Sequence, residues 1–148
     1  MTKPLFTNWR HYGVRKFGEC TVSDDGKEKL VHYEMGVVET GRSRVFAGYF
    51  FRVSLADDEQ ITAEDGGSMI AALWRLARNL LARGLYLQCA GMSSKWRESG
   101  LSQNTGWGYY GPQQQPMHML DDMPEDGGDE TLDRAIREAV ERIRIGQA

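Results

Sequence analysis

Between residues 29 and 55 the chain alternates between apolar and polar positions. In KLVHYEMGVVE, residues Val31, Tyr33, Met35 and Val37 fall on one face, with His32, Glu34 and Gly36 on the other. A period of two marks a half-buried strand. The polar turn Thr40-Gly41-Arg42-Ser43 leads into RVFAGYFFRVSL. There the odd positions Val45, Ala47, Tyr49, Phe51, Val53 and Leu55 form one face, while Phe46 and Phe50 keep the other partly apolar. Two such runs joined by a short turn predict an antiparallel hairpin, and the apolar second face predicts a covered, central position in a sheet.

The period then changes. ADDEQITAEDGG is acidic and reads as a loop, with Ser68 placed to cap the helix that follows. From Met69 the apolar residues recur at Ala72, Leu73, Leu76, Ala77, Leu80 and Leu81, the spacing of one helical face, and Gly84 is suited to end it in a left-handed conformation. Arg75, Arg78 and Arg83 read as the solvated side of this helix. LYLQCA, after Gly84, predicts a short buried strand, so the order is hairpin, helix, strand. A helix crossing back at that point would cover the apolar side of the hairpin. GWGYYG and PMHML predict two further short strands.

Residues 131–144 carry a second helical stripe of Leu132, Ala135, Ile136, Ala139, Val140 and Ile143. The acidic residues ahead of it complement the helix dipole. The predicted architecture is therefore a single α+β domain spanning 1–148. It has a mainly antiparallel sheet, made of the N-terminal hairpin and short strands, packed by two amphipathic helices.

Composition narrows the class without naming a chemistry. The 148 residues, 41% hydrophobic and 26% charged, suffice for one core without disulfide or metal staples. A formal charge of −3 disfavours direct nucleic-acid binding, which depends on neutralising phosphates. MTKPLFTNWRHYG has no continuous apolar run of the kind a secretory leader carries, and the apolar window 69–81 is broken by Arg75, Arg78 and Asn79, so no membrane span is predicted. The expected location is the cytoplasm, where Cys20 and Cys89 would be free thiols.

Catalytic and metal motifs are absent from the sequence. His11, His32 and His118 have no metal-ligand spacing with each other or with either cysteine, and no structural zinc, other metal or cofactor is expected. There is no nucleophile elbow, phosphate loop or dinucleotide fingerprint; GWGYYG lacks the following helix that would bind a phosphate. Carboxylates cluster at Asp24-Asp25, at Asp57-Asp58-Glu59 and between Asp121 and Glu130. In solvated loops they lack the burial that acid–base catalysis needs, which leaves solubility, a divalent-metal site or electrostatic docking of a basic protein partner as their use.

The stretch WRESGLSQNTGWGYYG, residues 96–111, joins Trp96, Trp107, Tyr109 and Tyr110 to glycines and small polar residues. Amphipathic rings on a turn-rich backbone make recognition surfaces, although the same rings also serve as core anchors. Trp96, Trp107, Tyr109 and Tyr110 are the candidate apolar contacts to a partner, and Asp121, Asp122, Glu125 and Asp126 the electrostatic ones. An alternative is a small-molecule-binding or enzymatic domain in which 96–111 line a pocket and His118 or Cys89 takes part. A third is an adaptor that uses the C-terminal stripe as a seam. The oligomeric state is left open.

The succession from LLARGLYLQCAG through SGLSQNTGWGYY to MHML resembles small bacterial immunity proteins of polymorphic-toxin and contact-dependent growth inhibition systems. The matching positions are Gly84, Ala90, Gly91, Ser99, Gly100, Leu101, Ser102, Gly106, Gly108 and Tyr109. Asn104-Thr105 and the two nearby tryptophans depart from that pattern, and the N-terminal third carries no part of it. The resemblance implies a non-enzymatic inhibitor that binds one cognate toxin in the cytoplasm of the producing cell. Many such toxins are basic nucleases, which the acidic loops would suit.

Overall fold

The computed structural model describes residues 9–93, 95–98 and 104–122, apart from the side chain of Asp57. Two antiparallel sheets and one helix make up the described chain. The larger sheet has five strands: β1 (Arg10–Asp24), β2 (Lys27–Thr40), β3 (Val45–Ser54), β4 (Gln60–Asp65) and β5 (Leu85–Gln88), in the spatial order β4-β3-β2-β1-β5. Helix α1 (Met69–Leu81) lies between β4 and β5 in sequence. The smaller sheet, β6 (Trp96–Glu98), β7 (Trp107–Tyr110) and β8 (Gln115–His118), runs in simple order.

The hairpin forms where the alternation places it, as β2 and β3, and both strands are central. Two expectations needed correction. The acidic stretch after the hairpin is not all loop: a short 3-10 turn at Ala56–Asp58 leads into β4, whose Ile61 and Ala63 oppose Val53 and Phe51. No alternation marks a strand before residue 29, yet β1 is the longest of the eight described strands. The second predicted helix, 131–144, lies outside the described residues.

Helix α1 must travel from one edge of the sheet to the other, because β4 and β5 are its two opposite edges. Its apolar stripe, Ala72, Leu73, Leu76, Ala77 and Leu80, therefore lies over the sheet. There it shares one core with Val22, Val31, Tyr33, Met35, Phe51, Val53, Ile61, Ala63 and Leu87. Burying each of the larger side chains is worth roughly 1.5–3 kcal/mol. The helix starts as expected, with the Ser68 hydroxyl accepting from Ala71 N at 3.1 Å, and Gly84 takes a left-handed φ of 77° just beyond its end.

Among the described residues, the other face of the large sheet is covered in part by its own curl. Arg10 and Tyr12 of β1 both reach Glu64 of β4, three strands away. Inside this curl Phe50 and Val38 are wholly buried. The Tyr12 ring meets Phe50 edge-on at 5.0 Å, and the Arg52 guanidinium lies 4.7 Å from the Tyr12 centroid. Arg52 also donates to Glu34 at 3.1 Å and to Thr62 at 3.2 Å. Burial and the bond to Glu64 both raise the Tyr12 phenol above its ordinary pKa. Phe46, expected on the covered second face, is instead exposed beside Tyr49.

Candidate functional site

The small sheet divides the four aromatic candidates by parity. In β7 the side chains of Trp107 and Tyr109 point outward, while Tyr110 turns into the core together with Trp96 of β6. This is the period of two applied to a strand with one covered face. The buried pair is fixed by polar bonds as well as packing. Trp96 Nε1 donates to the Met117 carbonyl at 2.9 Å, and Ser93 Oγ approaches Tyr110 Oη at 3.5 Å.

The glycines on either side of Trp107 are explained by close approach. A Cβ on Gly108 would sit 2.2 Å from the Arg97 carbonyl oxygen and 2.7 Å from the Trp96 ring. One on Gly106, at φ 93°, would sit 2.4 Å from His118 Nε2. Both positions admit only hydrogen without a shift of the sheet.

His118 ends β8 and is almost fully buried, under the edge of the Trp107 ring at 5.2 Å. Its Nδ1 accepts from Leu120 N at 3.1 Å, which assigns the remaining proton to Nε2. That N–H has no acceptor among the described residues. Burial pushes the imidazole down to a pKa of about 4, with the Lys16 charge adding to the effect and Asp121 opposing it. His118 is thus neutral at neutral pH, with one nitrogen spent on the backbone and the other enclosed by Gly106.

Asn104, at φ 60°, ties this region to the rest of the molecule. Its Oδ1 accepts from Met69 N at the start of α1, at 2.9 Å, and its own N–H donates to Glu98 at 2.9 Å. Thr105 Oγ1 accepts from Trp107 N at 3.2 Å. The residues that depart from the immunity-protein pattern therefore hold the aromatic strand and the helix together.

The remaining candidates separate clearly. Cys89 is fully enclosed, and burial raises its thiol pKa, as it raises that of Cys20 to about 12. Neither thiol is a ready nucleophile. Asp121 and Asp122 are exposed, yet each also accepts a bond: Asp121 from His118 N at 2.9 Å and Asp122 from Thr21 Oγ1 at 2.9 Å. Glu125 and Asp126, and the Ser99–Ser102 segment of the resemblance, lie outside the described residues.

Of the other carboxylates, Asp24 pairs with Lys29 at 3.3 Å and Glu59 pairs with Arg83. Asp65 is partly buried, which alone would raise its pKa. Bonds from Ser68 N, Gly67 N and Arg75 outweigh that and hold it below the ordinary carboxylate value. Among the described residues no group of three or more His, Cys, Asp or Glu side chains is arranged to hold a metal ion. Nor, among them, is any helix long and apolar enough to cross a membrane.

Two outward neighbours were missed in the sequence. Arg97 and Pro116 stand directly across from Tyr109 on β6 and β8, and both are exposed. Only the register of the small sheet brings them together, and nothing in their local sequence signals it. The outer face thus presents Trp107 and Tyr109 flanked by a guanidinium and a proline ring. Compared with family models and with curated proteins, the chain matches none.

Proposed function

We propose that this chain is an immunity protein, one that binds a cognate toxin domain in the cytoplasm of a producing bacterium and neutralises it without catalysis. The observation that carries the reading is the pair Trp107 and Tyr109, at 46% and 41% exposure, on a strand whose remaining side chain, Tyr110, is buried in the core. Large rings held outward on a rigid support lose little entropy on binding and make effective anchors. Asp121 and Asp122 supply an anionic rim that suits a basic partner such as a nuclease domain. Trp96 and Tyr110, buried beneath, act as the support and not as contacts.

The ligand-pocket alternative is less well served by this geometry. The four rings of 96–111 point to opposite faces of a sheet and do not converge on one cavity.

The test is growth of a bacterium that expresses the domain encoded immediately upstream, with and without this protein, followed by co-purification. Rescue with a stable complex supports the reading, and a harmless or unbound upstream product sinks it. In the complex, Trp107→Ala is expected to speed dissociation. Asp121→Asn with Asp122→Asn keeps an acceptor at each position, and is expected mainly to slow association at low salt.

A further inference from the structure

Strand β1 has a neighbour on one side along its whole length and on the other side only at its end. It pairs with β2 from Arg10 to Asp24 but with β5 only from Thr21 to Asp24. On the β5 side, residues 10–19 have no strand partner among the described residues. Ten residues of strand edge span roughly 33 Å, and with no described strand beside them their amides and carbonyls form a template for an added strand.

The side chains along this edge are not those of a neutral surface. Phe17, at 70% exposure, is the most exposed large hydrophobic residue among those described. Val14 lies on the same open face, across the register shift at Arg15, and is also exposed. On the opposite face the exposed Lys16 stands in register with Met35.

We propose, resting on the immunity reading, that the partner, whose basic surface meets Asp121 and Asp122, also presents one extended acidic segment that adds as a strand to the open edge of β1. Carboxylates on that segment face Arg15 and Lys16, and an apolar side chain covers Phe17. The charge also decides against a second copy of this chain. An antiparallel β1–β1 pairing centred on the open segment brings Arg15 and Lys16 of both copies close to the two-fold axis, and like charges opposed across strands are destabilising. The same two cations that bar self-pairing admit an acidic strand. Nucleic acid is disfavoured as the occupant by the net charge of −3.

The probe is the domain encoded immediately upstream, studied by amide hydrogen exchange in complex with the full chain. Protection of residues 11–19 by about tenfold or more, with β3 and β4 unchanged, is expected. So is a loss of affinity of about 30-fold in Arg15→Glu with Lys16→Glu, a double substitution on exposed side chains, with Phe17→Ala as an independent second variant. A complex that protects only the small sheet, with normal affinity in these variants, overturns strand addition and leaves the immunity reading standing. Absence of both rescue and complex overturns the immunity reading, and strand addition falls with it. A dimer of the free protein with β1 already protected assigns the edge to a second copy and overturns the proposal as well.

Discussion

The two sheets are held together by different means, and the difference shows where this molecule tolerates change. The five-stranded sheet rests on a broad apolar interface with α1, in which each side chain shares the load with many neighbours. The three-stranded sheet has strands of three or four residues, and depends on a few specific fittings: Gly106 and Gly108, the Trp96–Met117 bond, neutral His118 and the Asn104 cap. A large core degrades gradually under substitution, whereas a small polar assembly fails when one part changes.

The largest effect should come from the large sheet. Phe51→Ala is expected to cost about 4 kcal/mol in a single cooperative urea transition that includes the helix. Two transitions would show that the sheets unfold separately. Gly108→Ala should cost about 3 kcal/mol, because the new methyl meets a carbonyl and a fully packed indole. Loss of the Trp96 emission environment in that variant, with the far-ultraviolet helix signal retained, would locate the damage in the small sheet.

Acid should reach the small sheet by a different contact from that of Gly108→Ala, through His118, whose ring lies against Gly106. The imidazole has a pKa of about 4 in the folded chain, against an ordinary value of 6.5. Between these values the unfolded chain takes up a proton that the native chain refuses. Stability linked to His118 is therefore fully present above about pH 6.5, falls as the pH drops to about 4, and is constant below that. The whole difference is about 3 kcal/mol. Urea midpoints measured at pH 7.5 and 4.5 should differ less in His118→Asn than in the parent, and an equal pH response would refute the assignment. Asn104→Ala should cost about 1 kcal/mol, as expected for a lost helix cap. Trp107→Ala should change stability by less than about 0.5 kcal/mol, as an outward side chain would. A larger loss would mean that Trp107 belongs to the support beneath the surface.

The same contrast explains what was legible in the sequence. Hairpin β2–β3 and helix α1 show their periods because each lays one regular apolar face against the core that they share. Strand β1 does not, since the bulge at Arg15 shifts its phase and its open edge carries Phe17 outward. Strand β4 hid in an acidic stretch because Glu64 and Asp65 answer cations and backbone donors supplied by other segments, Arg10 being 54 positions from Glu64. Within the candidate site the alternation of WGYY was visible. Which parity faced the core was not, because it depends on Met117, Leu73 and the rest of the core arriving from elsewhere. His118 had no local signal at all, as its burial comes from Trp107 and Gly106 across the turn.

The bond from Met69 N to Asn104 gives the helix a debt to a segment that the ribosome has yet to make. When residues 69–81 leave the exit tunnel, the first turn of α1 has its Ser68 cap but lacks the acceptor that completes it. That acceptor lies 35 residues later in the chain. During synthesis the helix is therefore expected to fray at its start until the aromatic strand has been delivered. The outward aromatics and the completed helix should mature as one late event.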